Sequence, residues 1–354
     1  MVSRVAIVDL NQGCESAFER ALRLIGGIDD LNTVKRAVVI KVGVFNHRGG
    51  QHSTVDVVGA LANSFNKARR ILVVESDNYK GSGLERLQIW KSLFNERVVP
   101  FNLSDDSETR QAKLANEKIG LSHVLFKPNV FVSTHVLRRS ERGTILKNLL
   151  GLIPDRKKVR FHKKLETTLI DACEAVRGID LAVLDATYTY PDLTSGEGVE
   201  TNALLVSRDA VALEAVGAAL VGLDPKKIPV IREATRRGLG VSDLEEIEVV
   251  GESFESLKQR IVTLSKSHVK SRNRQAGPRT WGGQVHVAFK GLLQEHFFDS
   301  PNRRTTEDVA KALGAHGIPV EGNIKKIAGF LARRVKNGTL KTAKSADEWI
   351  YWAD

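Results

Sequence analysis

Residues 36–44, with the sequence RAVVIKVGV, constrain the fold more than any other segment of the chain. β-Branched residues follow one another here without polar alternation, which predicts a strand that is buried on both faces. Strands of this kind occur in parallel sheets whose two faces are covered by helices. Lys41 interrupts the run, and a lysine in such a strand needs a partner or a ligand. The alternative is a lysine near the strand exit whose amine reaches water.

Strand and helix patterns alternate on both sides of this run, which predicts an α/β fold with a mostly parallel sheet core flanked by helices. In such sheets, ligands bind beyond the carboxyl ends of the strands. This rule selects residues 41–54 and 77–83 as candidate site loops. The strand candidates are 4–9, 36–44, 70–75, 97–102, 122–126, 180–186, 203–206 and 247–251, and the helix candidates are 14–25, 55–66, 84–94, 165–177, 209–222 and 228–237.

Length and composition narrow the class of protein. A chain of 354 residues is long enough for roughly two domains. No apolar run approaches the ~18 residues of a membrane span, so we expect no membrane partner. The N-terminal sequence has no cleavable signal pattern, and we expect a cytoplasmic protein. Cys14 and Cys173 are the only cysteines, too few for a Cys-ligated iron–sulfur cluster, which needs about four.

The positive charge is concentrated at one end of the chain. Residues 257–354 contain 18 Lys and Arg against 8 Asp and Glu, which accounts for nearly all of the net charge of +11. A neutral body with a basic tail predicts an added module with an acidic partner, most commonly nucleic acid. We therefore divide the chain into an α/β core (1–256), a basic linker (257–283) and a small C-terminal domain (284–354).

The C-terminal domain has the pattern of a winged helix, because three helix candidates precede two short strands. Thr305 or Thr306 can cap the second helix. The third helix, 323–336, has an apolar stripe formed by Ile324, Ile327, Leu331 and Val335, and in a winged helix it would enter the major groove. The alternative is a module that docks a protein or a second copy of the chain. The candidate DNA or RNA contacts are Lys270, Arg272, Arg274, Lys325, Lys326, Arg333, Arg334, Lys336 and Lys341.

A second basic feature lies in the middle of the chain, where two clusters of Arg and Lys flank the apolar phrase 145–153, which we expect to be a helix. One cluster contains Arg138 and Arg139, and the other spans 156–164 with His162 among its members. Charges at this density repel one another unless water or an anion offsets them. The segment therefore predicts an anion site, with a solvated charged surface as the alternative.

Isolated polar residues complete the candidate ligand-binding set. Asp77 and Asp185 follow buried strands, and Glu197 lies in a Gly-containing loop; each could also serve only in a cap or a turn. The fingerprints GxxxxGK[ST] and GxGxxG are absent, and we leave open a divalent metal bound by distant carboxylates and histidines. The complete set is Lys41, Thr54, Asp77, His135, Arg138, Arg139, Lys147, Asn148, His162, Asp185 and Glu197.

Several phrases occur in the order typical of one family. They are VVIKVGV (38–44), HSTVDVVGAL (52–61), LKNLLGLIP (146–154) followed by basic residues and His162, DLAVLDATYTY (180–190), SRDAVALEAVGAALVGLDPKKIP (207–229), RGLG (237–240) and IEVVG (247–251). Over residues 1–255 the chain resembles the family called domain of unknown function 362.

The resemblance implies an α/β core, whereas the reaction of the family is not established. Many members also contain ferredoxin-type cluster segments, which makes redox chemistry a family-level expectation. This chain lacks those cysteines. In the family, a Pro-Lys-x-Lys-Thr-His-like phrase usually precedes the LKN motif; this chain has Thr134 and His135 at the corresponding positions but lacks the two lysines.

We expect the core to bind an anionic small molecule and the tail to bind nucleic acid. Two alternatives stay open. One is an enzyme whose tail docks a protein or a second copy, and the other is a non-catalytic, ligand-responsive DNA-binding regulator.

Overall fold

The computed structural model describes residues 2–44, 50–191, 198–275, 281–345 and 348–353, and within residues 266–275 it describes the backbone alone. The chain divides into two compact units, Met1–His268 and Val269–Asp354. Among the described residues, no helix combines the length and the apolar composition needed to cross a membrane. The two units are described in turn.

The first unit is built on one large sheet, and a small hairpin lies apart from it. The eight strands of the sheet have the order β10-β1-β9-β8-β7-β2-β3-β4. Of these described strands, β9 alone is antiparallel to its two neighbours. The strands are β1 Ser3–Asp9, β2 Ala37–Val42, β3 Ile71–Glu75, β4 Val98–Asn102, β7 Asn129–Arg138, β8 Leu181–Tyr190, β9 Val199–Ser207 and β10 Ile247–Gly251, and β5 Thr109–Leu114 and β6 Glu117–Ser122 form the hairpin. The predicted α/β fold with a mostly parallel sheet is confirmed.

Helices cover both faces of this sheet. In β2, Val38 and Ile40 pack on one apolar cluster and Val39 packs on the other, because successive side chains of a strand point to opposite faces. Helices α1 and α2 belong to the first cluster, and α4, α5 and α6 to the second. The helices are α1 Cys14–Leu24, α2 Val55–Ser64, α3 Gly83–Leu87, α4 Leu165–Ala175, α5 Ala210–Leu220, α6 Pro229–Arg236 and α7 Phe254–Gln275. Short 3₁₀ helices span Gln88–Leu93, His123–Leu125, Lys147–Leu152, Lys158–Lys164, Pro225–Lys227 and Leu244–Glu246.

Two sequence predictions in this unit are wrong. Residues 122–126 are not a strand, since His123–Leu125 is a 3₁₀ helix. The side-chain amide of Asn129 closes this turn by donating to the carbonyl oxygens of Val124, Leu125 and Lys127. The strand of this region is β7, which was not predicted from the sequence. The apolar phrase 145–153 is also not an α-helix, because its regular part is the 3₁₀ helix Lys147–Leu152.

The expected basic linker, 257–283, is largely helical in the structure. Leu257 and Ile261, one turn apart on α7, are buried in the apolar core of the first unit. The boundary between the two units falls within α7, at residues 268 and 269. The start of the segment is therefore part of the core because two apolar side chains recur at helical spacing. The side chains of the candidate nucleic-acid contacts Lys270, Arg272 and Arg274 lie outside the part of the chain that the structure describes.

The second unit contains three helices and a small sheet: α8 Trp281–Gln294, β11 Arg304–Thr305, α9 Thr306–Ala315, α10 Ile324–Lys336, β12 Lys341–Ser345 and β13 Glu348–Trp352. The strand order is β11-β13-β12, with antiparallel pairing throughout. Thr305 caps α9 through a capping box with Asp308. On α10, Ile327 and Leu331 are buried as the apolar stripe predicts, but Ile324 is 42% exposed.

Candidate functional site

The carboxyl ends of β2, β3 and β7 border a cavity of about 780 Å³. These three strands are adjacent and parallel in the sheet, so their ends lie at one edge. The segment 147–162, which contains two 3₁₀ helices, supplies the facing wall. The cavity therefore occupies the position in which parallel α/β sheets bind their ligands.

Lys41 lies at the base of the cavity and is completely buried. Its Nζ donates to the carbonyl of Val42 at 2.8 Å and to Asn148 Oδ1 at 2.9 Å, and lies 3.0 Å from Glu75 Oε1. Burial lowers the pKa of Lys41, although the carboxylate of Glu75 acts in the opposite direction. Lys41 is thus the partnered lysine that its place in a buried strand requires.

Glu75 joins Lys41 to a second buried cation, Arg86. Arg86 Nη1 lies 3.0 Å from Glu75 Oε2, and the guanidinium also donates to the carbonyl oxygens of Val44 and Ser76. One carboxylate therefore sits between two buried positive charges. A buried charge is tolerated where it is paired and hydrogen-bonded, and this three-residue network meets both conditions.

Asn148 fixes the 3₁₀ helix Lys147–Leu152 over this network. Its Nδ2 donates to the carbonyl of Lys41 at 2.9 Å, to Ser133 Oγ at 3.2 Å and to the carbonyl of Thr134 at 3.2 Å, while its Oδ1 accepts from Lys41. The amide thus links β2, β7 and the facing wall. This use of its donors and its acceptor explains an asparagine within an apolar phrase.

His135, on β7, is buried beside Gly43. A Cβ at position 43 would lie 2.1 Å from His135 Cδ2, so only glycine leaves room for the imidazole. The backbone N–H of Val136 donates to His135 Nδ1 at 2.8 Å, which leaves Nε2 to carry the ring proton. Burial, together with the charges of Arg138, Lys41 and Lys147, holds the pKa of His135 well below its usual value. The imidazole is therefore neutral at pH 7.

Arg138 and Lys147 line the cavity without a direct carboxylate partner in the part of the chain that the structure describes. The N–H of Arg138 Nε is buried and has no acceptor among those residues. Burial lowers the pKa of Arg138 to about 10, and Glu214 partly opposes this effect. Burial and the charges of Arg138 and Arg142 lower the pKa of Lys147 to about 8. Both side chains are cations in need of a counter-charge.

The rim of the cavity carries more positive charge. Arg156, Lys157, Lys158 and His162 all line it, and Lys158 donates to Ser76 Oγ at 2.9 Å and to the carbonyl of Asp77. Burial lowers the pKa of Lys158 to about 8. Burial also lowers the pKa of His162, with contributions from Arg142 and Lys147. Among the described lining residues, seven Lys and Arg therefore face one acidic side chain, Glu75.

Six of the eleven candidate ligand residues line the cavity, namely Lys41, His135, Arg138, Lys147, Asn148 and His162. Asp77 does not line it. Asp77 Oδ1 accepts from the backbone N–H of Gly83 and from Asn102, and Oδ2 accepts from Arg156. Burial alone would raise the pKa of Asp77, but these hydrogen bonds outweigh it and lower the pKa. Asp77 thus holds the 76–83 loop and anchors a rim arginine.

Three other candidates, Asp185, Thr54 and Arg139, lie elsewhere. Asp185 is buried and accepts from the backbone N–H and the hydroxyl of Thr54, which in turn caps α2. The pair joins β8 to the start of α2, so its polar groups are satisfied within the protein. Arg139 donates to the carbonyl of Val221 at 3.2 Å, away from the cavity. Glu197 lies outside the residues that the structure describes.

Glu75 and Arg86 are the main site residues that were not predicted from the sequence. A signal for Glu75 was present, because it ends the strand candidate 70–75 and ligands bind beyond the carboxyl ends of such strands. No local pattern marks Arg86, since only the fold brings α3 against the end of β3. Among the described residues, no group of three or more His, Cys, Asp and Glu side chains is placed to hold a metal ion. A bound metal stays a prediction.

Comparisons with known proteins place the chain in a family. Residues 38–219 match the family model described as Domain of unknown function (DUF362). This match covers just over half of the chain and contains β2, β7 and the whole facing wall of the cavity. A comparison with curated proteins finds no significant match. The chain therefore belongs to the family of domain of unknown function 362.

Proposed function

We propose that the core binds an anionic small molecule, carrying a phosphate or a carboxylate group, in the cavity at the sheet edge. The carboxylate of Glu75 is already shared by Lys41 and Arg86. The remaining lining cations of Arg138, Lys147 and the rim therefore create a positive field that a ligand can neutralise. A cavity of about 780 Å³ has the size of a small-molecule site.

The buried Nε of Arg138 carries this proposal. A buried polar group without a partner costs free energy, and such a group in a native protein calls for an explanation. Guanidinium binds phosphate and carboxylate through paired N–H groups, so an anion at Arg138 would satisfy the side chain. Lys147 and the neutral His135, which carries its proton on Nε2, would add further donors to the same ligand.

Arg138 and Arg139 form a matched pair for testing the anion site. Arg138 ends β7 and Arg139 follows it, but only Arg138 lines the cavity, whereas Arg139 donates to the carbonyl of Val221. Calorimetric titration with pyrophosphate, sulfate and citrate should detect binding to the wild type. Replacing Arg138 with Gln should weaken the best of these anions about ten- to a hundredfold, because a charge-assisted hydrogen bond is lost.

The control variant R139Q should bind that anion as the wild type does. Equal binding by R138Q and R139Q would overturn the proposal for this cavity, as would the absence of binding by all three anions. Circular dichroism of both variants checks that the fold is retained.

We also propose that residues 281–353 are a winged-helix-like module that contacts nucleic acid mainly through phosphates. The order of three helices around a three-stranded antiparallel sheet supports this assignment, with β12 and β13 as the wing. On α10, the side chains of Lys325, Lys326, Arg333 and Lys336 are exposed. These cations are available to a polyanion, and α10 is the third helix of the module.

Phosphate binding predicts a strong dependence on salt. Full-length protein should bind a short DNA or RNA duplex in fluorescence anisotropy, with an affinity that falls as salt rises. Reversing the charges of Lys326, Arg333 and Lys336 should reduce the slope of log affinity against log salt by about one for each phosphate that the variant no longer binds. If the variant and the wild type give the same slope, or if neither binds, α10 does not bind nucleic acid.

A further inference from the structure

We propose that Lys147 is a nucleophilic amine that forms an imine with a carbonyl compound carrying a phosphate or a carboxylate group. The proposal rests on the anion-binding function proposed above. It adds the group that reacts and the chemical class of the ligand.

The surroundings of the cavity lysines distinguish Lys147 from the others. Lys41 is fixed by Glu75, Asn148 and the carbonyl of Val42, and Lys158 donates to Ser76 and to the carbonyl of Asp77. Lys157 is exposed at the rim. Lys147 is half-buried and, among the described residues, forms no side-chain hydrogen bond and no ion pair. Its amine is therefore both sheltered and free to approach a ligand.

The charges around Lys147 favour the neutral, nucleophilic form of the amine. Burial lowers its pKa to about 8, the neighbouring Arg138 and Arg142 add to the effect, and Glu214 opposes it. A solvent-exposed lysine has a pKa near 10.4, so at pH 7.4 the neutral fraction of Lys147 is about two orders of magnitude larger. Desolvation beside other cations is one of the ways in which proteins activate a lysine for attack on a carbonyl.

Two imidazoles lie within electrostatic reach of this amine. The charge of Lys147 contributes to the lowered pKa of both His135 and His162, after burial and nearby arginines. His135 carries its ring proton on Nε2 and already accepts a hydrogen bond at Nδ1, so it can only donate to the ligand. The neutral imidazole of His162 can accept and return the protons that imine formation moves. Arg138, which also lines the cavity, would hold the anionic group of the ligand.

The proposed step is balanced without an oxidant or a reductant. The lone pair of the Lys147 amine attacks the carbonyl carbon, a C–N bond forms, and the carbonyl π electrons move to oxygen, which takes up a proton. The nitrogen releases its first proton, which gives a neutral carbinolamine. The carbinolamine hydroxyl then takes up a proton and leaves as water while the nitrogen lone pair forms the C=N bond, and the nitrogen releases its second proton. The products are an imine and one water molecule, and the reaction is reversible.

Trapping with borohydride tests the proposal on the full-length protein. Pyridoxal 5′-phosphate carries an aldehyde and a phosphate, glyoxylate carries an aldehyde and a carboxylate, and pyridoxal lacks an anionic group. After reduction, peptide mass mapping should locate one modified lysine, Lys147, with at least one of the two anionic aldehydes. The anionic aldehyde that modifies Lys147 faster shows whether the site prefers a phosphate or a carboxylate group. Pyridoxal should react about tenfold more slowly, because it has no anionic group for the cations of the site to attract. Excess pyrophosphate should occupy the site and protect Lys147 from modification.

Replacement of Lys147 with Arg removes the primary amine but keeps the positive charge. The variant K147R should lose the modification while it still binds pyrophosphate measurably and melts at a temperature close to that of the wild type. Replacement of the exposed Lys113, on β5, with Arg is the matched control and should leave the modification of Lys147 intact.

Equal labelling of several lysines would overturn the proposal, as would undiminished labelling of K147R. If pyrophosphate binds but Lys147 is not modified, only the imine chemistry is wrong. If no anion binds at all, the anion-binding function is wrong, and this inference fails with it.

Discussion

Gly151 lies directly against the amine of Lys41. A Cβ at position 151 would lie 2.5 Å from Lys41 Cε, 2.6 Å from Lys41 Nζ and 2.5 Å from Glu75 Oε1. These distances are shorter than van der Waals contact, so Lys41 and Glu75 would have to move to make room for the Cβ. Lys41 and Glu75 are both buried and hydrogen-bonded to each other, so neither can move away at low cost. The segment 147–152 can therefore pack against the Lys41–Glu75 ion pair only because residue 151 has no side chain.

Replacing Gly151 with Ala should lower the free energy of unfolding of the core by about 1–3 kcal/mol, which is the cost of overpacking a dense interior. Urea denaturation followed by circular dichroism measures this change. Gly291, within α8, is the control because a Cβ there meets no atom within 4 Å. The variant G291A should be as stable as the wild type or more stable by up to about 1 kcal/mol. A stable G151A would contradict the packing described here.

Removal of Glu75 should destabilise the core more than removal of Lys41. The variant E75Q leaves Lys41 and Arg86 buried without a counter-charge, which we expect to cost about 3–5 kcal/mol. The variant K41M leaves Glu75 paired with Arg86, so its cost comes mainly from the lost hydrogen bonds to Asn148 and Val42. Urea denaturation of both variants gives the ranking. A larger loss for K41M than for E75Q would show that Arg86 does not keep Glu75 paired.

Anion affinity should fall as the pH rises through about 8. Lys147 and Lys158 both have a pKa lowered to about 8, and a bound anion stabilises their protonated forms. Binding therefore takes up protons, and deprotonation of the amines opposes it. Titration with sulfate, whose own charge is constant in this range, should show weaker binding at about pH 9 than at about pH 7. A pH-independent affinity would exclude both amines as ligands.

The same lysines have a predictable effect on the stability of the ligand-free protein. Their folded-state pKa lies below the value of about 10.4 in the unfolded chain, so between about pH 8 and pH 10.4 the unfolded chain binds more protons. Their contribution to stability should rise with pH in this window and disappear as the pH falls through about 8. Urea midpoints of wild type and K147R, compared at several pH values, isolate the part due to Lys147.

Arg334 and Arg333 should separate folding from nucleic-acid binding in the second unit. Arg334 lies 4.6 Å from the centroid of the Phe330 ring and donates to His286 Nδ1 at 2.6 Å, whereas Arg333 is exposed. The variant R334Q should lower the stability of the unit by about 1 kcal/mol and leave the salt slope of binding unchanged. The variant R333Q should leave the stability of the unit unchanged and reduce the salt slope of nucleic-acid binding. Equal behaviour of the two variants would be inconsistent with these positions.

The fold class followed from local patterns that tertiary structure did not override. The β-branched run predicted the buried strand β2, and the cap at Thr305 was predictable because a capping side chain bonds a backbone group within three residues of itself. The strand β7 was not predicted, because its second half contains Thr134, His135 and Arg138. These residues were assigned to a basic segment that forms an anion site, whereas they belong to a strand at the edge of the cavity.

The site could be predicted only in part, for a related reason. Lys41 was identifiable because a charge in a buried strand is conspicuous on its own. Its charged partners were not, since Glu75 and Arg86 come from other segments and are brought to Lys41 only by the fold. Asp185 and Thr54 show the converse: both were predicted to bind a ligand, yet they satisfy each other.

The position of β1 in the sheet determines the order in which the core can be completed during synthesis. Val5 pairs with Ser207 on β9 and with Val249 on β10, so β1 lies between two strands that come much later in the sequence. Until β9 and β10 emerge, the backbone groups of β1 have no native partners, and an unpaired strand edge of this kind invites association with other chains. This side of the core therefore forms only through contacts between segments that are far apart in the sequence, and contacts of this kind form slowly because a long loop must close first.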